Sequence, residues 1–245
     1  MTLRSIVRKL VPAPLAAPVS MMLGRLLDLH AVKSYSQEGE ELILSRIFAG
    51  RRNGFYVDVG AHHPRRFSNT FSFYRAGWRG INIEPSPSAI AAFQRERKRD
   101  INLQVGVAEQ PGTLRYHLFD EPALNTFDAA LVKWRLANTP YRLIGTRDVP
   151  VERLDSLLRR HLPPGQAIDF MSVDVEGLDL QVLRSNDWEA FRPTCVLAEA
   201  LGTTLEEVMR SEVFELMRGN RYRLFSKLYN TMVFMNADAP ADERR

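Results

Sequence analysis

Gly54-Phe55-Tyr56-Val57-Asp58-Val59-Gly60-Ala61, followed about twenty residues later by Gly80-Ile81-Asn82-Ile83-Glu84-Pro85, is the stretch whose reading decides the fold. The apolar run from Phe55 to Val59 is too short for a helix and is bounded by glycines, so it reads as a buried parallel strand. Gly60 lets the chain turn sharply and leaves room for a ligand to approach the main chain. The intervening residues predict a helix over about Asn69 to Ala76, capped by Ser68 and ended at Gly77. A second apolar strand, Ile81 to Ile83, stops on Glu84. The unit is βαβ with a carboxylate at the tip of its second strand, placed to accept hydrogen bonds from a ribose diol.

The glycine count decides between nucleoside ligands. A dinucleotide loop wants G-x-G-x-x-G, whose closely spaced glycines admit a pyrophosphate. Here Gly60 stands alone before Ala61-His62-His63-Pro64. Asp58 is a poor neighbour for a pyrophosphate and a good one for an ammonium group. The acid-x-glycine loop therefore suits an adenosine that carries an amino acid, S-adenosylmethionine. An NAD-linked oxidoreductase with a degenerate dinucleotide loop is the competing reading, and a ligand-free crossover is the plain one.

Size and composition bound the rest. The 245 residues are 45% hydrophobic and 25% charged, which suits one large α/β domain and excludes disorder for most of the length. The net charge of +4 mildly favours acidic substrates such as phosphorylated or uronic sugars. Basic residues form no block interleaved with aromatics, so no nucleic acid is expected, and the run Arg95 to Arg99 reads as the solvated end of a helix. The single cysteine, Cys195, excludes a disulfide framework and a cysteine metal cluster and reads as a core residue.

Residues 1–33 read as an N-terminal arm, 34–236 as the main domain and 237–245 as a frayed tail. Arg4, Arg8 and Lys9 precede an uncharged run broken by Pro12, Pro14 and Pro18. The prolines argue against a spanning helix, and the sharper alternative to a packed arm is peripheral membrane contact. A helix carrying Leu42, Ile43, Ile47 and Phe48 begins near Gln37, whose amide could reach a ligand or merely cap the helix. Ser86-Pro87 opens another helix. Ile101 to Val107 alternates as a strand, and Pro111-Gly112 turns it into a hairpin with Thr113 to Phe119. Residues 120–150 are irregular, with a short helix over Asp128 to Leu136 carrying Trp134 on its apolar side; Asn125, Tyr141 and Arg142 are candidates to cover a site. Asp148 to Glu152 leads into a strand and short helix.

Ile168-Asp-Phe-Met-Ser-Val-Asp-Val-Glu176 is the second chemically loaded stretch. Period two puts Asp174 and Glu176 on one side at the carboxyl end of a strand, where ligands bind in open α/β sheets. Two carboxylates there are costly unless solvated or paired with a cation, a donor or a substrate. A helix over Leu178 to Phe191, a strand Thr194 to Ala198 ending on Glu199, a long helix capped by Thr203 and ended by Gly219, and a hairpin of Tyr222 to Leu228 with Thr231 to Met235 complete the chain.

Tyr56-Val-Asp-Val-Gly-Ala61, Ile83-Glu-Pro85, Gly106-Val-Ala108 and Asp169-Phe-Met-Ser-Val-Asp-Val-Glu-Gly177 occur in this order, with Ser36-Gln37 and Ser68-Asn-Thr70 around the first strand. Together they resemble the FkbM-type family of S-adenosylmethionine-dependent methyltransferases, over about Ser34 to Asn236. The resemblance implies a Rossmann-like class I fold: a seven-stranded, mostly parallel sheet with a terminal antiparallel hairpin and helices on both faces. It implies O-methylation, commonly of sugar hydroxyls in glycans, glycolipids or glycosylated metabolites; a cytoplasmic location is expected separately, from the lone cysteine, and a membrane surface from the arm. Carried over residue by residue, it implies cofactor contacts from Gln37, Asp58, Gly60, Ala61, Asn69, Glu84, Pro85, Ser86, Val107 and Asp174. His62-His63-Pro64 departs from the small polar pair and further glycine of many relatives, and puts two imidazoles near the reaction centre. The candidates for a general base are His62, His63, Asp174 and Glu176. A divalent cation on Asp174 and Glu176 could instead acidify the hydroxyl, although the spacing does not require a metal. A non-catalytic, methyltransferase-like binding module is the remaining alternative.

Overall fold

A computed structural model describes residues 31–200 and 204–239, with single positions between 11 and 23. The chain divides into two compact units, Met1–Ser34 and Tyr35–Arg245. In the first, the described residues from 14 to 23 are helical. The basic start of the arm, the Thr203 cap and the tail beyond Ala239 lie outside the described residues. Among the described residues no helix is long and apolar enough to cross a membrane.

The second unit is built on a seven-stranded sheet ordered β3-β2-β1-β7-β8-β10-β9. Its strands are β1 (Phe55–Val59), β2 (Arg79–Ile83), β3 (Ile101–Leu103), β7 (Phe170–Val173), β8 (Cys195–Glu199), β9 (Tyr222–Lys227) and β10 (Thr231–Asn236). All run parallel except β10, which enters antiparallel between β8 and β9. This is the Rossmann-like arrangement with a closing antiparallel hairpin that the resemblance implies. Strand order reverses between β1 and β7, and that reversal opens a crevice at their carboxyl ends.

Both faces of β1 are buried, which is why its sequence is apolar at every position except Asp58 rather than alternating. Phe55, Val57 and Val59 pack on one face with Ile81, Ile83, Met171 and Val173. Leu154, Leu157 and Leu158 of α5 (Leu154–His161), Val182 and Leu183 of α6 (Asp179–Arg184), and Met217 of α8 (Glu212–Gly219) cover that face. Tyr56, Phe170, Cys195 and Val233 occupy the other face beneath Leu44 and Phe48, at the end of α1 (Glu40–Ile47), Phe73 of α2 (Phe71–Arg75) and Trp78. Each such side chain, fully buried, contributes roughly 1.5–3 kcal/mol.

Several expected elements take a different form. Residues 101–107 do not make one strand. They split into β3 and β4 (Gly106–Val107), and β4 joins a second sheet ordered β4-β6-β5. The partner of β5 (Gly112–Phe119) is the distant β6 (Leu143–Glu152), not the preceding strand, so the expected hairpin is absent. The helix after Gly177 is only α6, and the long helix up to Gly219 is two: α7 (Leu205–Val208), capped by Thr204, and α8, capped by Ser211. On α4 (Ala129–Asn138), Val132 and Arg135 face inward while Trp134 is 58% exposed. Arg97, expected in solvent just after α3 (Pro87–Glu96), is fully buried. Ala237 and Asp238 are still bonded to the domain, through Arg221 and Arg192.

Candidate active site

The crevice at the switch point is a cleft of about 730 Å³, its open mouth included. Its walls bring together Gln37, Gly60, His62, Glu84, Pro85, Val107, Asp174 and Glu176 from the sequence reading. Asp58, Ala61, His63, Asn69 and Ser86 are not on its walls.

Gly60 has φ +80°, and a Cβ there would lie 1.8 Å from the Asp174 carbonyl oxygen. The glycine is therefore required first by the close approach of the β1 and β7 ends, and the cleft wall it forms follows from that approach. Its N–H and that of Ala61 both donate to the Ile83 carbonyl, which ties the turn to the end of β2. Glu84 stands just beyond that end. One of its carboxylate oxygens accepts from the His62 N–H at 3.0 Å and the other from the Ser86 N–H at 2.8 Å. Burial pushes its carboxyl up to about 7, against those two donors.

Across the cleft, β7 ends at Val173 and the chain leaves the extended conformation, so period two does not govern Asp174 and Glu176. Glu176 has φ +55°. Its carbonyl accepts from Thr126 Oγ1 at 2.8 Å, and its carboxylate pairs with Arg135 of α4. His62 (φ 50°) and Phe67 (φ 55°) also line the cleft in left-handed backbone. Such residues cost on the order of 1–3 kcal/mol each and concentrate at functional sites.

The acids at the tips of β7 and β8 form a group that the sequence reading caught only in part. Asp174, Glu176 and Glu199 each bring a carboxylate oxygen within 4.8 Å of the others. Asp179 adds a further buried carboxylate and accepts from the Glu199 N–H. Burial and the Glu176 charge push Asp174 well above the usual carboxylate range. Burial and its three acidic neighbours carry Glu199 up to about 10, and burial takes Asp179 to about 7. Glu176 is also raised by burial, but Arg135 opposes the shift.

The two imidazoles have different situations. His62 lines the cleft with its Nε2 buried and unbonded among the described residues, and burial with the Arg66 charge lowers it to about 4. His63 Nδ1 accepts from the N–H groups of Arg65 and Arg66, both at 3.0 Å, so it caps the loop from outside the cleft.

Asp58, expected beside a ligand ammonium, turns away from the cleft. Its carboxylate accepts from Thr70 Oγ1 at 2.8 Å, and Thr70 in turn accepts from Arg97. Asn69 donates to Ser172 Oγ at 3.0 Å and keeps a buried Oδ1 without a partner among the described residues. Gly106, which the sequence reading put with Val107 against the adenine, does line the cleft, and Val105, Phe127, Tyr116 and Pro122, which it missed, help to close it. Glu199, named only as a strand end, obeyed the strand-tip rule applied to Asp174. Tyr116 carried no local signal. Tyr141 and Arg142, expected over the site, are exposed away from it.

An α/β cleft at a switch point, with a lone-glycine turn and an acid at the second strand tip, defines the class of nucleoside-cofactor enzymes. The family model for the methyltransferase FkbM domain matches residues 58–224, well over half of the chain. The chain belongs to this family of S-adenosylmethionine-dependent methyltransferases. No curated protein sequence matches it. Similar solved structures include the C-terminal domain of precorrin-6Y C5,15-methyltransferase from Rhodobacter capsulatus, at 16% identity over 80% of this chain and 86% of that one, with a TM-score of 0.38. A second is Burkholderia thailandensis 1,6-didemethyltoxoflavin-N1-methyltransferase, solved with 1,6-didemethyltoxoflavin and S-adenosylhomocysteine, at 13% identity over 81% and 77%, TM-score 0.42. A third is a TehB-like S-adenosylmethionine-dependent methyltransferase from Corynebacterium glutamicum, at 10% identity over 91% and 99%, TM-score 0.39.

Proposed function

We propose that this cleft holds S-adenosylmethionine and that the enzyme methylates a hydroxyl of a sugar, in a glycan, a glycolipid or a glycosylated metabolite. The observation that carries the reading is the convergence in one cleft of the Gly60 turn, the Glu84 carboxylate and the Asp174–Glu176 acids. The surroundings fit such a ligand. Glu84 keeps lone pairs for a ribose diol, and Ile83, Val105, Val107 and Phe127 offer apolar walls to a flat base. The acids opposite suit a cationic end, because partly buried carboxylates with one arginine among them favour a positive ligand.

Bound there, S-adenosylmethionine would supply a sulfonium methyl for in-line transfer to oxygen. The chain must hold the acceptor oxygen behind that methyl, and such positioning is worth up to about 7–11 kcal/mol. It must also accept the hydroxyl proton, and a general base adds about 10²–10⁴-fold. Asp174 is the base in this reading. Its carboxylate has no side-chain donor among the described residues, whereas Glu176 is engaged by Arg135. A positive ligand would favour its ionised form and so prepare it to take the proton. His62, neutral and on the wall, is the second acceptor. Asp174 and Glu199 could also present oxygens to a divalent cation, but the reading does not depend on one.

The test is incubation with methyl-labelled S-adenosylmethionine and a panel of glycans and sugar phosphates. Label in an alkali-stable ether on a sugar is the expected result. Transfer to nitrogen or carbon acceptors alone would remove the sugar-hydroxyl reading, and tight binding of NAD in place of the donor would restore the oxidoreductase one.

A further inference from the structure

A second space opens beside the cleft, a groove of about 750 Å³ with its mouth included. Pro85, Tyr116, Pro122 and Asn125 line both, so the two are separated by single side chains. Tyr116 on this shared wall lines the same cleft as Glu84, Asp174 and Glu176, so the groove adjoins the candidate reaction centre. Its outer wall is the β5–β6 ribbon. Tyr116 pairs with Arg147 across the ribbon, and cross-strand partners share a face. Arg147 therefore projects on the cleft side, and it lines the groove together with Ser86, Ser88, Leu118 and Ile144.

The neighbouring arginines are spoken for: Arg115 of β5 pairs with Asp148, and Arg142, just before β6, with Asp120. Arg147 has neither an ion pair nor a side-chain hydrogen bond among the described residues. A guanidinium left without a counter-ion, beside two hydroxyls and a strip of apolar surface, matches a molecule with an apolar or ring-shaped body and an oxyanion.

We propose that this groove holds the distal part of the acceptor and that Arg147 recognises an anionic group on it, a phosphate or a carboxylate. The assignment rests on reading the adjoining cleft as the donor site, since it is continuity with that cleft that makes the groove an acceptor subsite. Arg147 then selects charged acceptors over neutral ones, while the acids near Asp174 face the donor's cationic end and the reacting hydroxyl.

Calorimetry at saturating S-adenosylhomocysteine tests this with three probes: glucose 1-phosphate, glucuronate and glucose. The wild-type protein should bind at least one charged sugar about tenfold more tightly than glucose, with an advantage that shrinks as salt is raised. Preference for glucose 1-phosphate assigns a phosphate, and preference for glucuronate assigns a carboxylate. Arg147→Gln should abolish the preference and leave S-adenosylhomocysteine affinity unchanged; Arg147 is exposed, so the fold is not at stake. Equal binding of all three sugars by wild type, or a preference that survives in Arg147→Gln, overturns the proposal. Absence of S-adenosylhomocysteine binding would instead refute the donor reading, and with it the groove's assignment to an acceptor.

Discussion

Two groups of buried charge lie on either side of the end of β1, and they are built on opposite principles. In the first, Asp58, Thr70, Arg97, Asp100 and Tyr56 pair with one another, although Arg97 Nε and Nη1 make no hydrogen bond among the described residues. Tyr56 Oη donates to Asp100 at 2.6 Å, Asn82 and the Gly80 N–H donate to the same carboxylate, and Arg97 bridges Asp100 and Thr70. The Arg97 guanidinium also sits within 6 Å of the rings of Tyr56, Phe71, Tyr74 and Phe93. In the second, Asp174, Glu176, Asp179 and Glu199 crowd together with Arg135 as their paired cation. The first group is closed and structural. The second is short of positive charge, and a buried deficit of that kind is what a cationic ligand can relieve.

The largest effect that would break the comparison is on the closed group. Arg97→Met should lower the unfolding free energy by about 3–5 kcal/mol, because it strands a buried acid, and denaturant titration measures it. Asp174→Asn should do the reverse: stability is kept or raised, while turnover falls by about 10²–10⁴-fold if the acid is the base. A variant destabilised as much as Arg97→Met would mean that the open group is structural too.

Proton linkage gives a smaller signature. Asp58, Glu84 and Asp179 hold protons up to about pH 6, 7 and 7 in the fold, against ordinary values of 3.8, 4.5 and 3.8. The folded state therefore binds more protons than the unfolded one across roughly pH 4–7, and stability falls as pH rises through that window. The melting temperature should be lower at pH 8 than at pH 5.5, by about 2–4 °C per kcal/mol. S-adenosylmethionine should narrow the gap by favouring the ionised acids of the cleft. The smallest effect is expected at the histidines. His63→Ala should lose about 1 kcal/mol of stability with its loop-capping bonds. S-adenosylhomocysteine affinity should survive that change, and His62→Ala alone should slow turnover.

The central strands β1, β2, β7 and β8 were legible because they are largely apolar runs that end in glycine or acid, and burial on both faces leaves that pattern no alternative. The second sheet was not, because β5 and β6 pair across more than twenty intervening residues and both are largely exposed, so neither has a two-residue turn or a continuous apolar run to announce it. Gly60, Glu84, Asp174 and Glu176 were found by rules about strand tips. Asp58 and Arg97 were misplaced for one reason: a charged side chain reads as solvent- or ligand-facing until the fold supplies a partner, here Thr70 and a cage of rings from separate elements. Arg135 was hidden in the same way, on a helix face that the indole of Trp134 seemed to define.

Calorimetric titration of S-adenosylhomocysteine into the purified protein tests the central claim most directly. Saturable one-to-one binding, weakened at least tenfold by Glu84→Ala and not matched by NAD, is the predicted result. A folded protein that takes up neither S-adenosylhomocysteine nor S-adenosylmethionine would contradict it.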